Sequence, residues 1–81
     1  MKDDLIFVGY RSFNSKSGNL CNVLDFITKP KVSSDNKSMY VNNVSIFTDQ
    51  EKYNNFINNN KLLSVITVSF EIVGNKVRYY I

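Results

Sequence analysis

Basic and aromatic residues stand two positions apart at two places in the chain. Arg11 precedes Phe13, and Arg78 precedes Tyr80. Residues two apart on a β-strand point to the same face, so each pair would present one cation and one ring together. A cation attracts phosphate, and an exposed ring gives a base a surface for stacking, worth about 1–3 kcal/mol per base. Both pairs therefore have the chemistry needed to contact a single nucleic acid strand.

Further basic residues lie in the segments that connect the predicted strands. Lys16 lies in the turn-forming run 14–19, Lys29 and Lys31 flank Pro30, and Tyr40 follows the exposed connection 30–39. The candidate nucleic-acid-binding set is Arg11, Phe13, Lys16, Lys29, Lys31, Tyr40, Arg78 and Tyr80. For two of these residues, a structural role is an alternative to nucleic-acid binding. Phe13 could cap the end of a barrel, and Tyr40 shares the parity of inward Val44, which favours a core position.

Residue types that most enzymes require are missing. The chain has no His, one Cys and three Gly. Without His there is no Ser-His-Asp triad, and a lone Cys21 cannot build an ordinary zinc site. Glycines at 9, 18 and 74 form no phosphate-binding loop. We therefore expect no catalytic residues, no metal, no cofactor and no small-molecule substrate.

Length and charge limit the remaining possibilities. A chain of 81 residues is expected to form one domain, 1–81, with one small core. The net charge is +3, and all of the excess lies between Gly9 and Tyr40, where five basic residues face two acidic ones. This asymmetry favours a polyanion-binding surface, although an ordinary solvated surface has the same appearance. A single Cys, no secretory leader and no long apolar run predict a cytoplasmic protein that does not enter membranes.

The first half of the chain is predicted to contain three strands. Residues 4–13 and 20–28 are rich in β-branched and aromatic residues and read as a hairpin closed by 14–19. Pro30 should end the second strand because proline cannot donate to a ladder. The third strand is predicted at 40–47, with Val44 and Ile46 inward and Asn43 and Ser45 outward.

The second half is predicted to hold a short helix and a hairpin. Thr48 and Glu51 have the spacing of a capping box, and Tyr53, Phe56 and Ile57 then give a narrow apolar stripe that ends within 58–60. Residues 62–72 alternate apolar and polar, with Ile66, Val68, Phe70 and Ile72 inward. Gly74-Asn75 predicts a tight turn. In the last strand Val77, Tyr79 and Ile81 should point inward and Lys76, Arg78 and Tyr80 outward.

This order of elements predicts the fold class. Five strands with one helix between the third and fourth are typical of the OB-fold, a five-stranded Greek-key β-barrel. An SH3-like barrel would lack that helix, and a helix packed on an open meander is the other arrangement compatible with the pattern. OB-folds often bind single strands, which joins the fold to the basic and aromatic pairs by analogy.

Residues 12–24, the strand that follows at 41–47 and the closing hairpin through Gly74 resemble the small single-stranded-DNA-binding, helix-destabilising proteins of phages and conjugative elements. The layout is similar to that of the filamentous-phage proteins of this class. The resemblance implies a role in DNA replication, a homodimer, and cooperative, non-specific coating of single strands. It also implies contacts from Arg11, Phe13, Lys16 and Arg78, with Tyr80 as a stacking residue.

Two function classes therefore follow from the sequence. The first is a non-enzymatic single-strand binder, with DNA expected before RNA. The alternative is a small protein-interaction module, such as an inhibitor of a host factor encoded by a phage or mobile element, which would use an exposed strand edge and a few aromatic anchors. A homodimer is also expected because the core is small and a strand edge could remain unpaired.

Overall fold

Seven strands and one helix make up the fold, which a computed structural model describes for residues 1–81. In chain order they are β1 (Lys2–Asn14), β2 (Leu20–Thr28), β3 (Lys31–Val32), β4 (Met39–Tyr40), β5 (Asn43–Thr48), α1 (Gln50–Asn59), β6 (Val65–Val73) and β7 (Lys76–Tyr80). Strands β5, β2, β1, β6 and β7 form, in that spatial order, one five-stranded antiparallel sheet. Strands β3 and β4 pair only with each other.

The five-stranded sheet curls into a nearly closed, OB-like barrel, which confirms the predicted fold class. In chain order, α1 falls between the third and fourth strands of the sheet. The two end strands, β5 and β7, face each other across a cleft that both of them line. Phe47 pairs with Val23, which pairs with Arg11 near the end of β1. Tyr80 pairs with Ser69, which pairs with Lys2 at the start of β1. β5 and β7 are therefore offset along the direction of β1, which is the register stagger expected when tilted strands close into a barrel.

Aromatic rings from the strands and the helix fill the interior. The buried cluster consists of Leu5, Phe7, Leu24, Phe26, Ile46, Tyr53, Phe56 and Val68. Phe56 on α1 meets the ring of Phe7 edge to face, with centroids 4.9 Å apart, and lies 5.8 Å from that of Phe26. The helix therefore covers the barrel with the apolar stripe predicted from its spacing.

The helix begins one residue later than the capping-box prediction required. Asp49 is the N-cap, and its carboxylate accepts a hydrogen bond from the Lys52 amide at 2.8 Å. Thr48, the predicted cap, ends β5 instead, and its hydroxyl is buried without a hydrogen-bond partner. The predicted capping box was therefore wrong, because an Asp one position later competes effectively for the cap. With ten residues and a polar composition, α1 is too short to cross a bilayer.

A bulge bends β1 between its two partners. The pairing register with β2 shifts between Phe7 and Gly9, which leaves Val8 as the extra residue. Phe7 exchanges backbone hydrogen bonds with the loop that precedes β6, donating to Ser64 and accepting from Leu63. Such a bulge increases strand twist and lets one long strand serve two sides of a barrel. Beyond the bulge, the end of β1 that bears Arg11 and Phe13 pairs with β2 and no longer with β6.

The β6–β7 hairpin extends past the end of β1. Pairing with β1 ends at Lys2 and Ser69, with one more hydrogen bond from the Phe70 amide to the Met1 carbonyl. Ile72 and Val77, predicted to point inward, are 60% and 48% exposed because no strand covers them there. Gly74 adopts φ +62° in the turn, a conformation that favours glycine.

The connection at 30–39 is more ordered than predicted. Lys31 pairs with Tyr40 and Val32 with Met39. Two-residue strands form this small hairpin, and both remain exposed. Tyr40, for which a core position was favoured by parity, therefore belongs to this hairpin rather than to β5, and is 52% exposed.

Candidate nucleic-acid interface

Arg11 and Phe13 lie together on the outer surface of β1, as their spacing predicted. The Arg11 guanidinium carbon is 5.6 Å from the centroid of the Phe13 ring, within the range of a cation–π contact. Phe13 is 40% exposed, so the ring is accessible rather than enclosed by the barrel. The Arg11 Nε also donates to Asp25 on the neighbouring strand, at 3.1 Å. The ion pair fixes the arginine beside the ring.

Phe47 on β5 extends this surface across β2. Its ring meets that of Phe13 edge to face, with centroids 6.4 Å apart, and it is 64% exposed. Val23 lies between them on β2, directly opposite Arg11 on one side and Phe47 on the other. Val23 is fully buried although it is not part of the main core cluster. Phe13 and Phe47 thus form one exposed aromatic surface that crosses β2 at a buried valine.

The second predicted pair lies on the outer surface of β7. The Arg78 guanidinium carbon is 6.0 Å from the centroid of the Tyr80 ring. The Tyr80 hydroxyl donates a hydrogen bond to the Glu71 carboxylate on β6, and this bond raises the pKa of Tyr80 above its ordinary value. Tyr80 is 42% exposed, so its ring is held in place yet remains accessible. The neighbouring Tyr79 points inward, as predicted, and burial raises its pKa.

Phe47 links the two pairs, because it contacts Phe13 and also lines the cleft between β5 and β7. Phe47 lines it from β5, and Arg78 and Tyr80 line it from β7, around a volume of about 590 Å³. An adjoining cavity of about 260 Å³ is also lined by Phe47 and Tyr80, together with Lys52 from α1. We call this surface the aromatic face and define it by Arg11, Phe13, Phe47, Arg78 and Tyr80.

Lys16 lies beside the aromatic face at the tip of the β1–β2 hairpin. The hairpin is closed by hydrogen bonds from the Ser15 amide to Asn19 and from the Gly18 amide to Ser15. Lys16 is exposed in the turn between them, three residues beyond Phe13. It makes no ion pair. Its ammonium is therefore free to contact a phosphate at the edge of this surface.

The other three predicted residues lie at the opposite end of the β1–β2 ladder. Lys29 forms an ion pair with Asp4 at 3.6 Å, and Lys31 pairs with Tyr40 in the β3–β4 hairpin. Leu5 pairs with Thr28 at this end and Phe13 with Cys21 at the other, about 26 Å apart along the strand at roughly 3.3 Å per residue. The structure therefore does not bring Lys29, Lys31 and Tyr40 together with the aromatic face.

Two residues of the interface were missed by the sequence reasoning. Phe47 follows inward Ile46 in a strand, so its outward direction was already implied by the alternation. An aromatic residue on the wet side of a predicted strand was the observation that could have identified it. Lys52 reaches the cleft only because α1 packs beside β5, a tertiary arrangement that no local pattern indicates.

No group of three or more His, Cys, Asp or Glu side chains lies close enough together to hold a metal ion. Comparisons with protein-family models, with curated proteins and with solved structures found no match. The family resemblance stated for the sequence stays a prediction, and the interface rests on its own geometry.

Proposed function

We propose that this protein binds single-stranded nucleic acid without catalysis, with DNA as the preferred strand and little dependence on base sequence. Bases would stack on Phe13, Phe47 and Tyr80, while phosphates would be neutralised by Arg11, Arg78 and Lys16. Stacking tolerates every base because each has a π-face, and neutralisation of phosphates releases counterions. Helix-destabilising proteins use this combination to coat strands exposed during DNA replication.

One observation carries the proposal: three exposed rings are linked through Phe47, and two of them have an arginine within cation–π distance. Phe13 and Phe47 contact each other, and Phe47 shares a cleft with Tyr80, although the three residues are far apart in the sequence. Exposed aromatic clusters are uncommon on a monomer surface and mark binding sites. The adjacent guanidiniums distinguish this cluster from a purely apolar protein contact.

Titration of fluorescent oligo-dT at low salt tests the proposal directly. We expect binding at micromolar protein, with rU bound more weakly and duplex bound most weakly. The logarithm of affinity should fall linearly with the logarithm of salt concentration, by about 0.7 per phosphate contacted. Absence of oligo-dT binding at micromolar protein and low salt would contradict the proposed function.

We also propose that the chain acts as a homodimer. Eighteen large apolar or aromatic residues are exposed, against nine buried ones, so the core is small for the apolar content. The radius of gyration is 14.4 Å, whereas a compact domain of this length has about 12 Å. The protruding β6–β7 hairpin accounts for part of this extension, and its uncovered Ile72 is the residue best placed to contact a second copy.

Sedimentation equilibrium at tens of micromolar tests this state. The native chain should have the mass of two copies, and Ile72→Asp should have the mass of one while keeping its circular dichroism spectrum. Val32→Asp on the β3–β4 hairpin, at a residue of similar exposure, is the matched control and should remain a dimer. A single-chain mass for the native protein would contradict the proposal.

A further inference from the structure

The barrel has one junction at which no backbone hydrogen bonds are made. Each neighbouring pair of strands in the sheet has a ladder, but none joins β5 to β7. The N–H and C=O groups on the outer edges of both strands therefore face the cleft of about 590 Å³ without a ladder partner. Unpaired strand edges of this kind are templates for adding another strand.

Strand direction determines how such a strand would fit. β5 runs antiparallel to β2 and therefore parallel to β1, and β7 runs antiparallel to β6 and therefore also parallel to β1. The two walls of the cleft are consequently parallel to each other. One extended segment running in the opposite direction would be antiparallel to both walls at once. It would complete an all-antiparallel barrel of six strands.

The β5 edge lacks the features that normally prevent strand addition. Natural edges carry charges, prolines or bulges. β7 has Lys76 and Arg78, whereas the six residues Asn43–Thr48 contain no charge and no proline. The pairing of β5 with β2 is also regular from Asn43 to Thr48, with no bulge. An uncharged, regular edge that faces a cleft has the properties of a docking edge.

The side chains around the cleft define the chemistry of the added strand. On the inner side, Val44, Ile46 and Tyr79 offer apolar contacts. On the outer side, Arg78 and Lys52 are cations at the rim. Two carboxylates lie near them and both are engaged: that of Asp49 caps α1, and that of Glu71, opposite Arg78 on β6, accepts a hydrogen bond from the Tyr80 hydroxyl. We propose that the cleft binds an extended segment of a partner protein, in which apolar residues alternate with acidic ones, as a sixth strand. Apolar side chains would point inward and acidic ones toward the rim.

A polypeptide fits this cleft better than a nucleic acid strand does. Both walls present main-chain donors and acceptors at strand spacing, and another peptide backbone pairs with them along its whole length. The β5 wall has no cation that would neutralise a phosphate. This inference is independent of nucleic-acid binding, although the two ligands would share Phe47 and Tyr80 and should therefore compete.

Amide hydrogen exchange measured by NMR on the full-length chain tests the proposal. The probe is a blocked peptide of about eight residues in which valine alternates with glutamate, a length that spans β5 or β7. We expect binding at micromolar peptide, with exchange of edge amides in β5 and β7 slowed about ten-fold or more as they become hydrogen-bonded. A peptide with proline in place of alternate residues lacks donors and should not bind.

Charge reversal provides a second, independent measurement. Arg78→Glu should weaken binding of the glutamate peptide about ten-fold and strengthen binding of a valine–lysine peptide. Lys37→Glu makes the same change of net charge in the turn between β3 and β4 and should alter neither affinity. A preference for the glutamate peptide that is the same in both variants would overturn the proposed orientation of the strand.

Three results would overturn the proposal as a whole. The peptide could fail to bind, or it could bind with slowed exchange only outside β5 and β7. Edge amides already protected in the free protein at high concentration would assign the cleft to a second copy. Protection of the same amides by oligo-dT, without protection by any peptide, would assign it to nucleic acid.

Discussion

The aromatic face and the β3–β4 hairpin contain the same kinds of residue but differ in what surrounds them. Phe13 and Phe47 contact each other over a buried valine, and two arginines lie against rings of the face. At the hairpin, Lys29 and Lys31 line a small cavity of about 220 Å³ together with the carboxylates of Asp3 and Asp4. The hairpin also has an exposed ring, Tyr40, opposite a cation, Lys31. Only the aromatic face has exposed rings in contact with each other and arginines within cation–π distance of them.

The difference arises from strand register rather than from composition. A β-hairpin places the end of one strand beside the start of the next, so Phe13 lies opposite Cys21, and β5 then adds Phe47 to the same end. Lys29 and Lys31 follow the other end of β2 and cannot reach this surface. Strand pairing thus places Phe13 and Phe47, which are distant in sequence, at one end of the sheet, and it places Lys29 at the other end.

Replacing one ring in each region gives the largest expected contrast. Phe47→Ala should weaken oligo-dT binding about 5- to 150-fold, the equivalent of 1–3 kcal/mol for one stacked base. Tyr40→Ala removes a ring of comparable exposure at the β3–β4 hairpin and should leave affinity unchanged. Fluorescence anisotropy at fixed low salt measures both. Equal losses in the two variants would mean that the strand also crosses the hairpin.

Salt dependence separates the cations of the two regions. Arg78→Ala and Lys16→Ala should each reduce the slope of log affinity against log salt by about 0.7 in magnitude, without changing base preference. Lys29→Ala and Lys31→Ala should leave the slope as it is. Tyr80→Ala should lower affinity and keep the native slope, because a stacked ring releases no counterions. A smaller slope in the Lys31 variant would extend the phosphate path to the hairpin.

The sequence predicted the elements better than their surroundings. Alternation in 62–72 and the turn at Gly74 located β6 and β7, and the bounds of β2 were predicted without error. Ile72 and Val77 kept their predicted parity but are exposed, because covering them depends on how far β1 reaches. The Arg11–Phe13 and Arg78–Tyr80 pairs were predictable from a period of two. The link between them, through Phe47, which contacts Phe13 and shares a cleft with Tyr80, depends on barrel closure, and no local pattern contains that information.

Two matched carboxylates provide a smaller test of the same contrast. Asp25 holds Arg11 at 3.1 Å, and Asp4 holds Lys29 at 3.6 Å. Asp25→Asn keeps the shape and removes a charge that repels phosphate, so affinity should rise about two- to five-fold, in line with 0.5–1 kcal/mol for an exposed pair. Asp4→Asn should not change affinity. A gain from Asp4→Asn as large as that from Asp25→Asn would show that only net charge matters.

The two regions should also respond to opposite ends of the pH scale. The Ser33 hydroxyl, followed by the Lys37 amide, lowers the pKa of Asp35 in the β3–β4 turn. Because the pKa is lowered on folding, the Asp35 carboxylate stabilises the turn at pH values above its ordinary pKa of about 4. This contribution is lost as the pH falls through the folded pKa. Carbon chemical shifts of the Asp35 carboxyl against pH measure it, and Ser33→Ala should move the midpoint upward.

At the aromatic face the sign is reversed. Hydrogen bonding to Glu71 raises the pKa of Tyr80. The neutral phenol therefore stabilises this side of β7 at pH values below its ordinary pKa of about 10. That contribution is lost as pH rises through the folded pKa, when tyrosinate would face the Glu71 carboxylate. Ring chemical shifts of Tyr80 should therefore titrate at lower pH in Glu71→Gln than in the native chain. An unchanged midpoint in that variant would mean that the carboxylate does not hold the ring, and that the stacking surface on β7 is set by Arg78 alone.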